Sequence, residues 1–265
     1  APDGTLIDPY GGQTDLADRL LRHVSVAFTE DPLRILRLAQ FQARLKGLGF
    51  RVHDLTTQLC REMVARGDLD TLSRERVFKE LEKALSAPHP SEFFAVLASV
   101  NALAQLFQGV ELAETKNLDG PATDTSPPSR FSQLVLENPD LDLQGLNKQL
   151  AIPKHWLELA SMTRTWAAAF CQVTTLSADA ILAVLERGDA RRKPERFVQS
   201  VQISCQSLII DSAEQTQILG LWQRLAQETA KVSLPETASG LSGQDIKAMI
   251  RAEQLRRIEA TCDRN

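Results

Sequence analysis

Apolar residues recur at helical spacing along most of the chain. In residues 33–45 they follow one helix face, and Gly47 comes shortly after the last of them, as expected at the end of a helix. The same pattern, bounded by capping residues, glycines or prolines, predicts helices over residues 33–45, 55–65, 74–85, 92–107, 132–137, 143–150, 154–170, 178–186, 194–210, 213–231 and 243–261. Only Thr5-Leu6-Ile7 suggests a strand, so the predicted fold class is all-α.

The helical pattern is interrupted over residues 114–130. This stretch contains Gly120-Pro121 and then Ser126-Pro127-Pro128-Ser129, a composition typical of a loop. We therefore expect a linker there and a domain boundary between the two helical parts.

Composition indicates an ordinary globular protein of 265 residues, of which 43% are hydrophobic, with a formal net charge of −4. No apolar run is long enough to span a bilayer, and no signal peptide is evident. The four cysteines show neither a CxxC spacing nor a disulfide framework. We expect a cytoplasmic protein with reduced thiols and no membrane partner.

Two carboxylates and a guanidinium lie within one turn in Glu30-Asp31-Pro32-Leu33-Arg34, at the start of a predicted helix. An ionised Asp only accepts hydrogen bonds, and Arg only donates them. Side by side, the two suit the Watson–Crick edges of cytosine and adenine, which place an amino donor beside a ring-nitrogen acceptor. Guanine and uracil reverse that order. The alternative is a helix start with a simple ion pair.

Several motifs around this turn resemble those of class II tRNA nucleotidyltransferases, the CCA-adding enzymes, and more loosely those of bacterial poly(A) polymerases. They are Asp8-Pro9-Tyr10-Gly11-Gly12, the EDPLR turn at residues 30–34, and Glu75-Arg76-Val77-Phe78-Lys79-Glu80-Leu81. The resemblance is weaker at residues 191–196 and in the Gly240-Leu241-Ser242-Gly243 tail.

The resemblance implies a role for each residue of the turn. Asp31 and Arg34 would act as a protein template for the bases of CTP and ATP, with Glu30 orienting the arginine. Arg37, one helical turn beyond Arg34, is a candidate contact to the nucleotide or its phosphates. Asp8, Gly11 and Gly12 would form the hinge between a catalytic head and a neck. The alternative for Gly11-Gly12 is an ordinary turn, and one turn can serve as both.

The resemblance also implies a domain layout. Residues 1–25 would be the end of the head and the hinge, 26–112 the neck with the base template, 113–130 the linker, and 131–265 the helical body and tail that bind tRNA. The strand at Thr5-Leu6-Ile7 would be a remnant of an α/β head missing from this chain. Arg191, Arg192 and Lys193 are candidate tRNA contacts, and a solvated helix start is the alternative.

Family members hold Mg²⁺ with a DxD pair on a strand of the head. The two DxD spacings here, Asp68/Asp70 and Asp140/Asp142, follow Gly67 and Pro139 and have no glycine-rich strand before them. We interpret both as structural acids. We therefore predict no catalytic residue and no metal ligand in this chain, no activity of the chain alone, and Mg²⁺ bound by the head of the complete enzyme.

A His-Asp doublet at residues 53–54 could suggest a phosphohydrolase site, but the other histidines are scattered and Asp54 is a plausible helix cap. We predict no hydrolase activity.

Three interpretations remain open: the neck, body and tail of a CCA-adding tRNA nucleotidyltransferase, a poly(A) polymerase of the same superfamily, or a non-enzymatic helical module that binds RNA or protein.

Overall fold

The structure is a computed structural model that describes residues 7–120, 124–208, 211–233 and 242–263. Two compact units divide the chain, Ala1–Leu157 and Glu158–Asn265. The helices of the first unit are α1 Gly12–Ala17, α2 Leu33–Leu45, α3 Asp54–Ala65, α4 Arg74–Leu85, α5 Ser91–Ser99, α6 Leu103–Leu106, α7 Pro127–Glu137 and α8 Leu143–Gln149. Helix α9, Lys154–Cys171, contains the division point. The second unit continues with α10 Ala178–Arg187, α11 Pro194–Ser207, α12 Ser212–Ala230 and α13 Gly243–Cys262.

Helix α2 lies at the centre of the first unit. Its apolar face, with Ile35 and Leu36 fully buried, packs against α5 and α4. Helix α5 contributes Phe93 and Phe94, whose rings meet edge to face at 5.3 Å. Burial of such side chains supplies the main stabilisation, about 1.5–3 kcal/mol each before entropy is counted. The start of α2, beside which the predicted template residues lie, is thereby fixed to the core.

Two strands of two residues each were not predicted from the sequence. β1, Leu20–Leu21, pairs in parallel with β2, Arg51–Val52. Segments this short show no alternation of apolar and polar residues, so no periodic signal exists for them. The predicted strand at Thr5-Leu6-Ile7 falls mostly on residues outside the described ones.

The helix predicted over residues 92–107 is interrupted, and this prediction was wrong. Helix α5 ends at Ser99, and Asn101 adopts a left-handed conformation with φ of 61° before the short α6 begins. Asparagine tolerates that conformation better than most residues, and it is one of the residues that commonly end helices. The apolar periodicity nevertheless continues through the turn, since Val100, Ala102 and Leu103 are all buried.

The predicted linker at 113–130 is largely ordered within the first unit. Leu112–Asp119 forms a 3₁₀ segment that packs against α5 and α7, and α7 already begins at Pro127. Arg130 is buried and donates through Nη1 to the carbonyls of Leu85 and Ala87, at 2.7 and 2.6 Å. The structure divides the chain after Leu157 rather than in this segment.

An aromatic cluster forms the core of the second unit. The rings of Phe170, Phe197 and Trp222 are edge to face, with centroids 5.4 to 5.8 Å apart. Trp222 also donates from Nε1 to the backbone carbonyl of Phe170 at 2.9 Å, which satisfies the one polar atom of its buried ring. Ile258 of α13 is fully buried in the same cluster.

The described residues confirm the all-α fold class, with two short strands as the exception. Helix bounds agree closely with the sequence for α2 and α4, whose ends carry clear capping or glycine signals. Within the described ranges, no helix is both long enough and apolar enough to cross a lipid bilayer.

Candidate functional site

Asp31 lies at the turn that leads into α2, with its carboxylate held from two sides. Oδ1 accepts from the Leu33 N–H at 3.1 Å, and Nη2 of Arg76, from the first turn of α4, lies 3.0 Å from Oδ1 and 2.8 Å from Oδ2. The Asp31 side chain is 27% exposed. Its carboxylate is therefore fixed in direction but still reachable from solvent.

Arg34 is half-buried in the first turn of α2. Its backbone N–H donates to the backbone carbonyl of Asp31 at 3.0 Å, and Nη1 of its side chain donates to the carbonyl of Ala27. Ala27 belongs to a 3₁₀ segment, Val26–Glu30, directly before the turn. A guanidinium has five N–H donors. Anchoring through one nitrogen leaves the others available to a ligand.

The remaining residues of the turn depart from a continuous helical arrangement. Asp31 has extended backbone angles, φ −133° and ψ 104°, so α2 does not extend back to Glu30. Glu30 is exposed and makes no described hydrogen bond or ion pair, and the described partner of the Arg34 side chain is Ala27. Arg37 is 52% exposed, with Nε 3.9 Å from Oε1 of the buried Glu80.

The electrostatics of the turn keep Asp31 ionised. Burial raises the pKa of its carboxyl, but the Leu33 N–H, the hydrogen bond and charge of Arg76 and the charge of Arg37 outweigh burial. The net pKa lies below the ordinary value of 3.8. At neutral pH Asp31 is thus an acceptor only.

The predicted hinge residues form a closed turn at the start of α1. The Asp8 carboxylate accepts from the backbone N–H of Gly12 at 2.7 Å and of Gln13 at 2.9 Å. These two bonds, that of Gln13 foremost, lower the pKa of Asp8. Gly11 has φ of 73°, in the left-handed region that favours glycine.

The two DxD spacings have structural contacts in their own surroundings. Asp68 binds Arg66 at 2.7 Å, and Asp70 accepts from Gln105 at 3.0 Å. Asp142 caps α8 by accepting from the Gln144 N–H at 3.0 Å. Over the described part of the chain, no three His, Cys, Asp or Glu side chains are close enough together to hold a metal ion.

At the His-Asp doublet, the helix cap is His53 rather than Asp54. Nδ1 of His53 accepts from the Leu55 N–H at 3.1 Å, and Asp54 is the first residue of α3. The doublet is explained by the helix start, with the capping role shifted by one residue.

The basic residues before α11 are partly neutralised. Arg192 binds Asp189 at 2.7 Å, and Lys193 binds Glu158 at 2.9 Å. Arg196 reaches the same Glu158 at 2.6 Å. Arg191 is exposed and has no described partner.

Residues 49–113 match a family model described as "Probable RNA and SrmB- binding site of polymerase A". A "Multifunctional CCA protein" from Pseudomonas putida is 37% identical over 262 residues, which cover 97% of this chain and 71% of that relative. The chain belongs to the CCA-adding enzyme family. The names of the relatives favour this assignment over a poly(A) polymerase or a non-enzymatic module.

Solved structures of CCA-adding enzymes share the fold at low sequence identity. One described as a complex with ATP superposes with a TM-score of 0.66 at 16% identity, covering 95% of this chain and 62% of that one. A Thermotoga maritima CCA-adding enzyme complexed with tRNA gives 0.64 at 16%, covering 97% and 66%. The chain thus spans about two thirds of the length of these enzymes.

Arg76 is the residue of the site that sequence reasoning missed. In the sequence Arg76 stands out only as a member of the motif at residues 75–81, because 45 residues separate it from Asp31. Arg76 stands in the first turn of α4, and α4 packs against α2. The sequence predicts where both helices start, but it does not show that the two helices pack together, so this contact carries no local signal.

Proposed function

We propose that this chain is the part of a CCA-adding tRNA nucleotidyltransferase that selects the incoming nucleotide and holds the tRNA. The observation that supports nucleotide selection is the turn before α2. Asp31 and Arg34 are each anchored by the protein on one side and half-exposed on the other. Because both side chains are already held in place, little of their conformational entropy is lost when a base binds.

In this proposal Asp31 accepts the exocyclic amino proton of cytosine or adenine, and Arg34 donates to the neighbouring ring nitrogen. An ionised carboxylate has about four acceptor positions. Three contacts, one from Leu33 and two from Arg76, use part of that capacity. Guanine or uracil would present a carbonyl to Asp31 and a ring N–H to Arg34, at a cost of about 1–3 kcal/mol for each group left unpaired.

The test is nucleotide choice in the complete enzyme that carries this chain, with tRNA lacking its terminal CCA as substrate. Arg34→Ala should reduce the preference for CTP over UTP and for ATP over GTP by about tenfold or more, the equivalent of at least 1.4 kcal/mol. The matched control is Arg44→Ala, an exposed arginine of the same helix with no described partner. Unchanged discrimination in Arg34→Ala would refute the template role.

A role in tRNA binding is supported by the match of residues 49–113 to an RNA-binding family model. This segment carries exposed basic side chains, among them Arg51 and Lys79, that have no described partner. Phosphate contacts of this kind make affinity fall as salt rises. Filter binding with tRNA at several salt concentrations tests the proposal: Arg51→Ala and Lys79→Ala should each weaken binding and flatten its salt dependence.

We further propose that these residues alone do not transfer nucleotides, and that Mg²⁺ in the complete enzyme is held by carboxylates outside them. Support comes from three of the four DxD acids: Asp68 is engaged by Arg66, Asp70 by Gln105, and Asp142 by the start of α8. Incubating the isolated chain with CTP, ATP, Mg²⁺ and tRNA lacking CCA should give no incorporation while tRNA binding persists. Incorporation would refute this part and leave the template proposal standing.

A further inference from the structure

Two cysteine side chains meet in the second unit. Cys171 is the last residue of α9, and Cys205 lies in the last turn of α11. Their Sγ atoms are 3.8 Å apart. Cys205 is 2% exposed, whereas Cys171 is partly exposed, so Cys171 is the residue of the pair that a small reagent reaches more readily from solvent.

The backbone around both thiols is held in place. The carbonyl of Phe170, next to Cys171, accepts from Trp222 Nε1 at 2.9 Å. The hydroxyls of Thr163 in α9 and Ser200 in α11 are hydrogen-bonded at 2.8 Å, which joins the same two helices at a second point. The sulfurs therefore remain neighbours as the side chains move. Side-chain rotation is the motion that can bring them to bonding distance, about 2.05 Å.

The two thiols also differ in how readily they ionise. The hydrogen bond between the two sulfurs lowers the pKa of Cys171 despite burial, and the same bond together with burial raises the pKa of Cys205. The more accessible thiol is thus the one that ionises first. The thiolate is the nucleophilic form of cysteine, so Cys171 is the sulfur that reacts first with an oxidant.

We propose that Cys171 and Cys205 form a reversible disulfide when the protein meets hydrogen peroxide. The Cys171 thiolate attacks one peroxide oxygen, the O–O bond breaks, and hydroxide leaves, giving a sulfenic acid. Sγ of Cys205 then attacks the sulfenic sulfur, and the departing OH takes up the Cys205 proton as water. Overall, two thiols are oxidised and one peroxide is reduced to two waters.

The other two cysteines serve as internal controls. Cys60 is fully buried in α3, and burial raises the pKa of its thiol to about 12. Burial and the charge of Asp263 raise the pKa of Cys262. Neither has a described sulfur neighbour, so neither has a partner thiol with which to condense.

The experiment treats the full chain with about one equivalent of hydrogen peroxide, counts thiols after denaturation and identifies linked peptides by mass spectrometry after trypsin digestion. The thiol count should fall from four to two. The tryptic peptides 165–187 and 197–224 should appear as one linked species, two hydrogen atoms lighter than their sum. Dithiothreitol should restore both peptides and all four thiols.

Cysteine variants distinguish disulfide formation by Cys171 and Cys205 from oxidation of cysteines in general. Cys60→Ser should still lose two thiols on treatment, whereas Cys171→Ser and Cys205→Ser should lose none to a disulfide. Circular dichroism checks that each variant keeps its helical content. In Cys205→Ser, Cys171 should accumulate as sulfenic acid, trapped by dimedone, which keeps the test informative for that variant. Oxidation of Cys171 to sulfinic acid in the unaltered chain with no linked peptide would overturn the proposal, as would linkage in random pairs.

Discussion

Arg76 and Asp31 form an ion pair across 45 residues of sequence, in which one guanidinium nitrogen, Nη2, lies 3.0 Å from Oδ1 and 2.8 Å from Oδ2. The pair joins the first turn of α4 to the turn before α2. Farther along the same helices, Arg37 lies 3.9 Å from Glu80. The Asp31 carboxylate is thus oriented by a second helix of the core and not only by its own turn.

Arg76→Gln should raise the pKa of Asp31 and weaken nucleotide discrimination in the complete enzyme. Burial raises this pKa, and the hydrogen bond and charge of Arg76 are among the interactions that lower it. Removing them therefore lets the pKa rise. Carboxyl ¹³C chemical shifts measured against pH report the pKa, and CTP against UTP incorporation reports the choice of base. Lys79→Gln, one turn farther along α4, is the control and should change neither. A raised pKa with unaltered base choice would show that Arg76 serves stability alone.

The same pair sets a pH dependence of stability with a definite sign. The folded pKa of Asp31 lies below 3.8, so its contribution to folding is fully present above that value and is lost as pH falls through the folded pKa. Because Arg76 is 46% exposed, solvent screening limits the pair to about 0–1 kcal/mol. Urea unfolding of the chain and of Arg76→Gln should differ by this amount at pH 7, and the difference should disappear as pH falls through the folded pKa of Asp31.

Most helices could be predicted from the sequence because their signals are local. Apolar periodicity and the signals at the helix ends predict α2 and α4 at their observed bounds. A helix also follows the EDPLR turn, as predicted. Contacts between distant residues carry no such local signal. The Arg76–Asp31 pair and the parallel strands at Leu20–Leu21 and Arg51–Val52 depend on which helices pack together.

The burial of Arg130 is a second feature that could not be predicted from the sequence. Prolines and glycines in residues 114–130 predicted a linker, yet Arg130 is buried and supplies donors to Leu85 and Ala87 at the end of α4. Composition cannot show that a charged residue will be buried, because the carbonyls it satisfies belong to another element.

The assignment of Glu30, Asp31 and Arg34 to base reading, and of Asp8, Gly11 and Gly12 to a hinge, stays a prediction.

Arg130→Met should destabilise the first unit by about 1–3 kcal/mol for each carbonyl left unpaired, since methionine fills similar space but donates no hydrogen bond. Thermal or urea unfolding followed by circular dichroism measures the loss. Arg44→Met is the matched control, since Arg44 is exposed, and it should stay within about 0.5 kcal/mol of the unaltered chain. Equal stability of the two variants would mean that water or a backbone shift replaces Arg130.

The hinge prediction can be tested with two adjacent glycines. Gly11 has φ of 73°, and no atom lies within 4 Å of the position that a Cβ would take there, so Gly11→Ala adds backbone strain alone, about 1–2 kcal/mol. Gly12 has no positive φ, and a Cβ there would lie 3.4 Å from Asp8 Oδ1, an ordinary contact. If the turn is a hinge, Gly11→Ala should lower kcat of the complete enzyme several-fold while Gly12→Ala does not. A loss of stability at Gly11 with unchanged kcat would identify an ordinary turn.

The candidate tRNA contacts at 191–193 should differ from one another, because the structure pairs two of them. Arg192 is held by Asp189 and Lys193 by Glu158, whereas Arg191 is exposed with no described partner. A phosphate must compete with the existing carboxylate for the first two but not for Arg191. Arg191→Ala should therefore weaken tRNA binding most and reduce the slope of log affinity against log salt by about 1. Equal small effects of all three alanine variants would favour the alternative, a solvated helix start that does not touch RNA.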